Sequence, residues 1–318
     1  MTVKGDDPLD PRTARPTTVK GDDPLRTPAL REYRPDWTAV QTEIATIDGH
    51  PIEYRRAGTA SRVAVILHGG HMSAVCRFGE ETYLGAGLGV LVVSRPGYGR
   101  TAAAAGPSAP EFVARLARLL GDQRLDVAAV VGISLGARSA LTLAAFYPAL
   151  VPRVILLCPV SFRPWPVGRT RRVARVAFHP ALQGLTWGVV HALLRRNPDK
   201  YLPRLVGDLS TLPGTEVVRR LGADRAATAE FLLSCRSDLG FALDLRPPTD
   251  VTADVRQPVL VLASRLDGSV AVEHPEHLAD SLADARLVEV GTPSHLLWLG
   301  ENAGQTRSAI TEFLANPG

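Results

Sequence analysis

Six short runs of β-branched and other apolar residues, separated by longer stretches that include helical spacing, constrain this chain more than any other feature of its sequence. They are Arg62 to Leu67, Val90 to Ser94, Val127 to Ile133, Arg153 to Cys158, Val259 to Ala263 and Arg286 to Val290. The runs are apolar throughout rather than alternating, as strands are when helices cover both faces of their sheet. Upstream, Glu43 to Ile47 and Ile52 to Arg56 flank Asp48-Gly49, a strong hairpin signal. The expected fold is α/β, with a mostly parallel eight-stranded sheet and helices on both faces. Ser108 and Glu111 stand at the spacing of a capping box, opening a helix through Val113, Leu116 and Leu120.

The alternation breaks between residues 160 and 249. This stretch shows helical spacing, as in Leu185, Val189, Val190, Leu193 and Leu194, interrupted by Pro180, Pro198, Pro203 and Pro213. A helical cap inserted between two strands is the expected arrangement, which divides the core into residues 37–159 and 250–318. Ahead of the core, an octapeptide occurs twice, as Thr2 to Leu9 and Thr18 to Leu25. Two polar copies are too few to build a solenoid, so residues 1–36 are expected to be a flexible extension.

Composition narrows the class further. With 318 residues, 45% apolar and 21% charged, the chain can bury a sizeable core and is not a disordered or fibrous polypeptide. The formal charge of +4 is too mild to argue for nucleic acid, and no nucleic-acid partner is expected. That charge is unevenly placed: residues 163–204 hold nine basic side chains and one acid, Asp199. Arg169, Arg171, Arg172 and Arg175, then Arg195 and Arg196, lie at the two ends of an apolar stretch. Solvated faces and helix-end charges account for most such clusters, and attraction of an anionic substrate or docking on an anionic membrane surface are the sharper alternatives. Cys76, Cys158 and Cys235 are too few and too far apart for a disulfide framework or a metal site. With no apolar leader at the start and no run of about 18 apolar residues, the expectation is a cytoplasmic protein without a membrane span.

Gly132-Ile133-Ser134-Leu135-Gly136 has the form G-x-S-x-G, which sets a serine on a sharp turn between strand and helix. A serine hydroxyl needs a base within hydrogen-bond reach and a third group to orient that base. The loop after Val259 to Ala263 supplies Asp267, and the loop after Arg286 to Val290 supplies His295, in the order nucleophile, acid, base. Of the other histidines weighed as base, His274 and His277 fall in a surface helix, His50 in the hairpin turn, and His179 and His191 in the insertion. Asp238 and Asp244 are the fallback acids. Acyl transfer also needs preorganised N–H donors for the developing oxyanion. The amide of Leu135 is one, and the turn His68-Gly69-Gly70-His71 offers Gly70, with His71 as the alternative. In the insertion, Phe162, Trp165, Phe178 and Trp187 are candidate lining of an apolar acyl site. No cofactor or metal is expected.

Leu67-His68-Gly69-Gly70, Arg95-Pro96-Gly97-Tyr98-Gly99, the serine turn, Ser264-Arg265-Leu266-Asp267 and Gly291-Thr292-Pro293-Ser294-His295 resemble, in order and spacing, the motifs of the α/β-hydrolase family. The resemblance runs from about Ile44 to Leu314 and puts the insertion where that family carries its variable helical cap. It implies nucleophile Ser134, acid Asp267, base His295 and oxyanion amides at Gly70 and Leu135. There are two departures: Ser94 stands where an aspartate commonly opens the Arg-Pro-Gly turn, and Ala271 stands where a proline is frequent. Relatives that cleave carbon-halogen bonds or epoxides use an aspartate at the turn, so Ser134 argues against both.

The expected activity is hydrolysis of a carboxylic ester or thioester of a small-molecule acyl substrate through an acyl-enzyme. Carbon-carbon bond hydrolysis, amide cleavage, acyl transfer and cofactor-free perhydrolysis use the same residues. A small-ligand-binding protein with an idle triad is the alternative of another class.

Overall fold

A computed structural model describes residues 40–166 and 176–316. The expected N-terminal extension and Arg169, Arg171, Arg172 and Arg175 lie outside these residues.

The chain enters through β1 (Glu43–Ile47) and β2 (His50–Ala57), joined by Asp48 and Gly49 at φ of 51° and 78°. Two consecutive positive φ angles make the type I′ turn that suits the twist of a hairpin, and glycine tolerates the second at no steric cost. Then follow β3 (Arg62–Leu67), α1 (Glu81–Gly85), β4 (Gly89–Val93), α2 (Ala109–Asp122), β5 (Asp126–Ile133), α3 (Gly136–Phe146) and β6 (Val154–Leu157). The sheet closes with β7 (Val259–Ala263), α9 (Glu273–Ser281), β8 (Ala285–Glu289) and α10 (Ala303–Ala315). The strand order is β1-β2-β4-β3-β5-β6-β7-β8. β2 pairs antiparallel with β1 and β4, and every other pairing is parallel.

Two apolar layers explain why the strands read as unbroken hydrophobic runs. Val63, Val65 and Leu67 face one layer with Phe112, Leu116 and Leu120 of α2, Leu141 of α3 and Leu278 of α9. Ala64 and Ile66 face the other layer, which holds Phe78, Tyr83 of α1 and Ile310 of α10. Burying one such aliphatic or aromatic side chain contributes about 1.5–3 kcal/mol, so a strand occupied on both faces has little use for polar residues. β1 and β8 are the two edge strands, and all five side chains of β8 are at least partly exposed.

Between β6 and β7 run α4 (Gln183–Arg196), α5 (Pro198–Gly207), α6 (Gly214–Leu221), α7 (Arg225–Ser234) and α8 (Gly240–Asp244). Trp187, Leu194, Leu202, Val217, Leu221 and Phe231 of these helices join the same apolar layer as Ile66, Val131 and Ile155 of the sheet. Among the described residues, no helix is long and apolar enough to cross a membrane.

Two local expectations resolve differently in detail. Ser108 does precede α2, but its hydroxyl donates to Glu111 Oε2 at 2.6 Å and caps no backbone N–H. Ser94, in place of the frequent aspartate, donates to Glu53 Oε2 at 2.7 Å and accepts from the Ala74 amide at 2.8 Å. Glu53, buried on β2, supplies the carboxylate from the neighbouring strand. Burial raises its pKa, but hydrogen bonds from Ser94, Arg100 and Thr42 outweigh that and hold it below the ordinary value.

Candidate active site

Ser134 sits between β5 and α3 with φ at +52°, a left-handed conformation that costs a non-glycine residue strain and is held only by its surroundings. Those surroundings are backbone. The Ser134 amide donates to Leu157 O at 2.9 Å, and its carbonyl accepts from the amides of Ala137 at 3.1 Å and Val160 at 3.0 Å. At Gly136 an added Cβ would lie 2.0 Å from Leu67 O, so the first turn of α3 can press against the end of β3 only without a side chain.

The turn after β3 stands against this elbow. A Cβ placed on Gly69 would meet the Ser134 Cβ at 3.0 Å, and one on Gly70 would meet the Leu135 side chain at 3.1 Å. Among the described residues, the amides of Gly70 and Leu135 have no hydrogen-bond acceptor. Two unpaired N–H donors beside a serine on a sharp turn are the geometry that an oxyanion hole would need before substrate arrives. His68 is fully buried: the Arg95 amide donates to its Nε2 at 3.0 Å, which leaves Nδ1 to donate to Gly69 O at 2.7 Å. Burial, aided by the Arg95 charge, pushes its pKa down to about 3, so the ring is neutral and structural.

Asp267 and His295 meet from the loops after β7 and β8, with Nδ1 donating to Asp267 Oδ2 at 2.7 Å and both residues buried. The second carboxylate oxygen accepts from the Ser269 amide at 2.7 Å and the Val270 amide at 2.9 Å, so the acid is fixed on both sides. Burial works against a charged imidazole, yet the Asp267 carboxylate outweighs it and holds the His295 pKa well above 6.5. The insertion braces this pair from outside. The His295 amide donates to Leu209 O at 2.8 Å, the Gly268 amide donates to the same carbonyl at 3.2 Å, and Ser210 bridges to Asp267.

Ser134 Oγ has no hydrogen-bond partner among the described residues, and His295 Nε2 faces Cys158 Sγ at 3.7 Å. Catalytic hydrogen bonds are often long or unmade before substrate binds. Cys158, just past β6, donates its thiol to His295 O at 3.2 Å and lies against the Ser134 backbone. Burial raises its pKa, which keeps it a thiol. Sequence reading assigns this cysteine no role beyond excluding a disulfide or metal site; its one signal is its place at the end of the predicted strand Arg153 to Cys158.

His71 is caged by Phe178, Trp187 and Phe241, with ring centroids at 4.3, 5.6 and 4.0 Å. Burial pushes its pKa down to about 4, so it is neutral at physiological pH. Its Nδ1 lies 2.7 Å from Ser237 Oγ, which accepts from Trp187 Nε1 at 2.7 Å. Phe241 and Ser237 were missed because nothing in their spacing links them to residue 71. Phe162 instead packs into the layer under α2 and α3 and lines a cavity of about 270 Å³ with Arg95, Leu135, Arg138 and Asp244. Trp165 donates to Ser269 O at 3.0 Å, above the acid's loop. The rejected candidates fall elsewhere: His274 pairs with Ser161 Oγ, buried His191 with Leu232 O, Asp238 with the Gly99 amide and Asp244 with Arg95.

Comparisons with known proteins bear on the fold and the family. The chain is 28% identical over 281 residues to a Bacillus subtilis protein named as an uncharacterized hydrolase, YcgS, covering 86% of this chain and 98% of that one. It is 32% identical over 244 residues to a pimeloyl-[acyl-carrier protein] methyl ester esterase of Aromatoleum aromaticum, covering 74% and 91%. An alpha/beta hydrolase fold protein from Nakamurella multipartita superposes with a TM-score of 0.73 at 22% identity, covering 86% and 99%. A model of the alpha/beta hydrolase family matches residues 64–309, and the chain belongs to that family.

Proposed function

We propose that this protein is a serine hydrolase that cleaves a carboxylic ester or thioester through an acyl-enzyme. The observation that carries the reading is the buried Asp267–His295 pair at the sheet edge that also holds Ser134 on its strained turn. His295 Nε2 takes the proton of Ser134 as Oγ attacks the acyl carbonyl, and Asp267 stabilises the imidazolium that forms on Nδ1. The amides of Gly70 and Leu135 receive the oxyanion of the tetrahedral intermediate. Collapse expels the alcohol or thiol, protonated by His295. Water activated by the same base then releases the acid and regenerates Ser134. That the Aromatoleum aromaticum relative is named a methyl ester esterase supports an ester as the bond class.

A fluorophosphonate probe tests the reading. It is expected to label the wild type at Ser134, located by peptide mass spectrometry, and to leave Ser134→Ala unlabelled. A folded wild type that resists labelling overturns the assignment.

A further inference from the structure

We infer that the insertion takes part in the reaction through Asp244, which positions the oxyanion turn; this rests on the serine-hydrolase reading above. The insertion returns to the sheet through residues 236–244, and this segment is bonded to both turns beside the nucleophile. The Arg236 amide donates to His71 O at 2.8 Å and the Gly240 amide to Gly97 O at 2.8 Å. Gly99 N donates to Asp238 Oδ2 at 3.0 Å. The approach is close enough that a Cβ on Gly240 would lie 2.1 Å from the Tyr98 ring.

Asp244 is the centre of this contact. Its carboxylate takes both ends of the Arg95 guanidinium, at 2.6 Å to Nη1 and 2.7 Å to Nη2, and the Tyr98 hydroxyl at 2.5 Å. Arg95 is buried, and its remaining bonds run to the oxyanion turn: Nε donates to His68 O at 2.7 Å and Nη2 to Gly69 O at 3.1 Å. The second of these contacts matters most. Gly69 C=O and Gly70 N–H belong to one planar trans peptide and point in opposite directions. That oxygen also accepts from His68 Nδ1 at 2.7 Å, so the cation joins a neutral donor in fixing the direction of the N–H at the other end, and its charge polarises that N–H towards an anion. Arg95 comes from the core, but its own orientation depends on a bidentate partner supplied by the insertion. Removing that partner leaves a buried guanidinium uncompensated, and its grip on the turn loosens.

A purely structural tie would lower stability or substrate affinity. A positioning residue acts on the transition state, so the effect falls on kcat. Steady-state hydrolysis of a p-nitrophenyl ester by Asp244→Asn is expected to show kcat lower by roughly 30-fold with KM within about twofold, less than the 10²–10³ loss of a whole oxyanion donor. Asp244→Glu is expected to recover part of the loss. Hydrogen exchange read by mass spectrometry supplies a measurement independent of catalysis. The peptide covering residues 68–71 is expected to exchange faster in Asp244→Asn, and the one covering 62–67 to stay unchanged. Should Asp244→Asn not fold, Tyr98→Phe removes one of the three bonds to the carboxylate and is expected to lower kcat about threefold.

A folded Asp244→Asn protein with wild-type kcat, with its whole loss in KM, or with unchanged exchange at 68–71 overturns the inference. Failure of the serine-hydrolase reading looks different: the wild type itself resists the fluorophosphonate, while the exchange result still reports whether Asp244 holds the turn.

Discussion

The elbow around Ser134 and the outer face of α4 use the same small residue under opposite constraints. At Gly136 an added methyl would collide with backbone at 2.0 Å, whereas Gly184 and Gly188 of α4 have nothing within 4 Å. Leu182, next to the start of α4, and Leu185 and Val189 within it are exposed on that outer face at 46%, 71% and 49%. Its inner face carries buried Trp187 and His191. At the elbow backbone packs directly against backbone, so sequence freedom there is small. The insertion is constrained on the side that touches the sheet and released on the other.

The largest expected effect breaks the elbow chemically. Ser134→Ala is predicted to lower kcat for ester hydrolysis about 10⁶-fold, measured by burst kinetics, while its melting temperature stays near wild type. Asp267→Asn comes next, at about 10⁴-fold in kcat. It also shifts the pH profile. Activity requires neutral imidazole, so in the wild type kcat/KM rises with pH through a midpoint above 6.5, because the Asp267 carboxylate favours the charged ring. Without that carboxylate the largest influence raising the His295 pKa is lost, while burial and the Cys158 contact remain, and the midpoint is predicted to fall. A profile flat from pH 5 to 8 in the wild type contradicts the role of His295.

A pair of glycine substitutions tests the comparison itself. Gly136→Val is predicted to destabilise by about 3 kcal/mol or more, read as a shift in denaturant midpoint, because no side chain can yield where backbone is the obstacle. Gly188→Ala, in an exposed helix interior, is predicted to stabilise by about 0.5–1 kcal/mol and leave kcat unchanged. If the two substitutions had similar effects, the contrast between elbow and outer helix would be lost.

The strands were legible to within one or two residues, because burial on two faces forces runs that few other structures need. The serine turn and the meeting of Asp267 with His295 were legible for a related reason: in a parallel sheet the loops after successive strands share one edge. Contacts made across long sequence separations were not. Asp244 reads as a spare carboxylate until Arg95, 149 positions away, is seen to take it. Glu53 substitutes for the expected aspartate at residue 94 from a strand 41 positions earlier. Phe162 and Trp187 carry the same aromatic signature, yet one packs beneath α3 and the other against His71, since helical spacing does not reveal which neighbour a ring will meet.

β3 has β4 on one side and β5 on the other, so the chain winds outward after β3 and crosses back to lay down β5. Right-handed crossovers taken in opposite directions lie on opposite faces, and the segments leaving β3 and β5 accordingly diverge, one towards Tyr83 and the other towards Leu141. Open α/β sheets bind their ligands at such a reversal of winding, and here Gly70 follows one of its two strands while Ser134 and Leu135 follow the other. The place where a ligand is expected is thus a property of chain topology, settled before any side chain is chosen to line it.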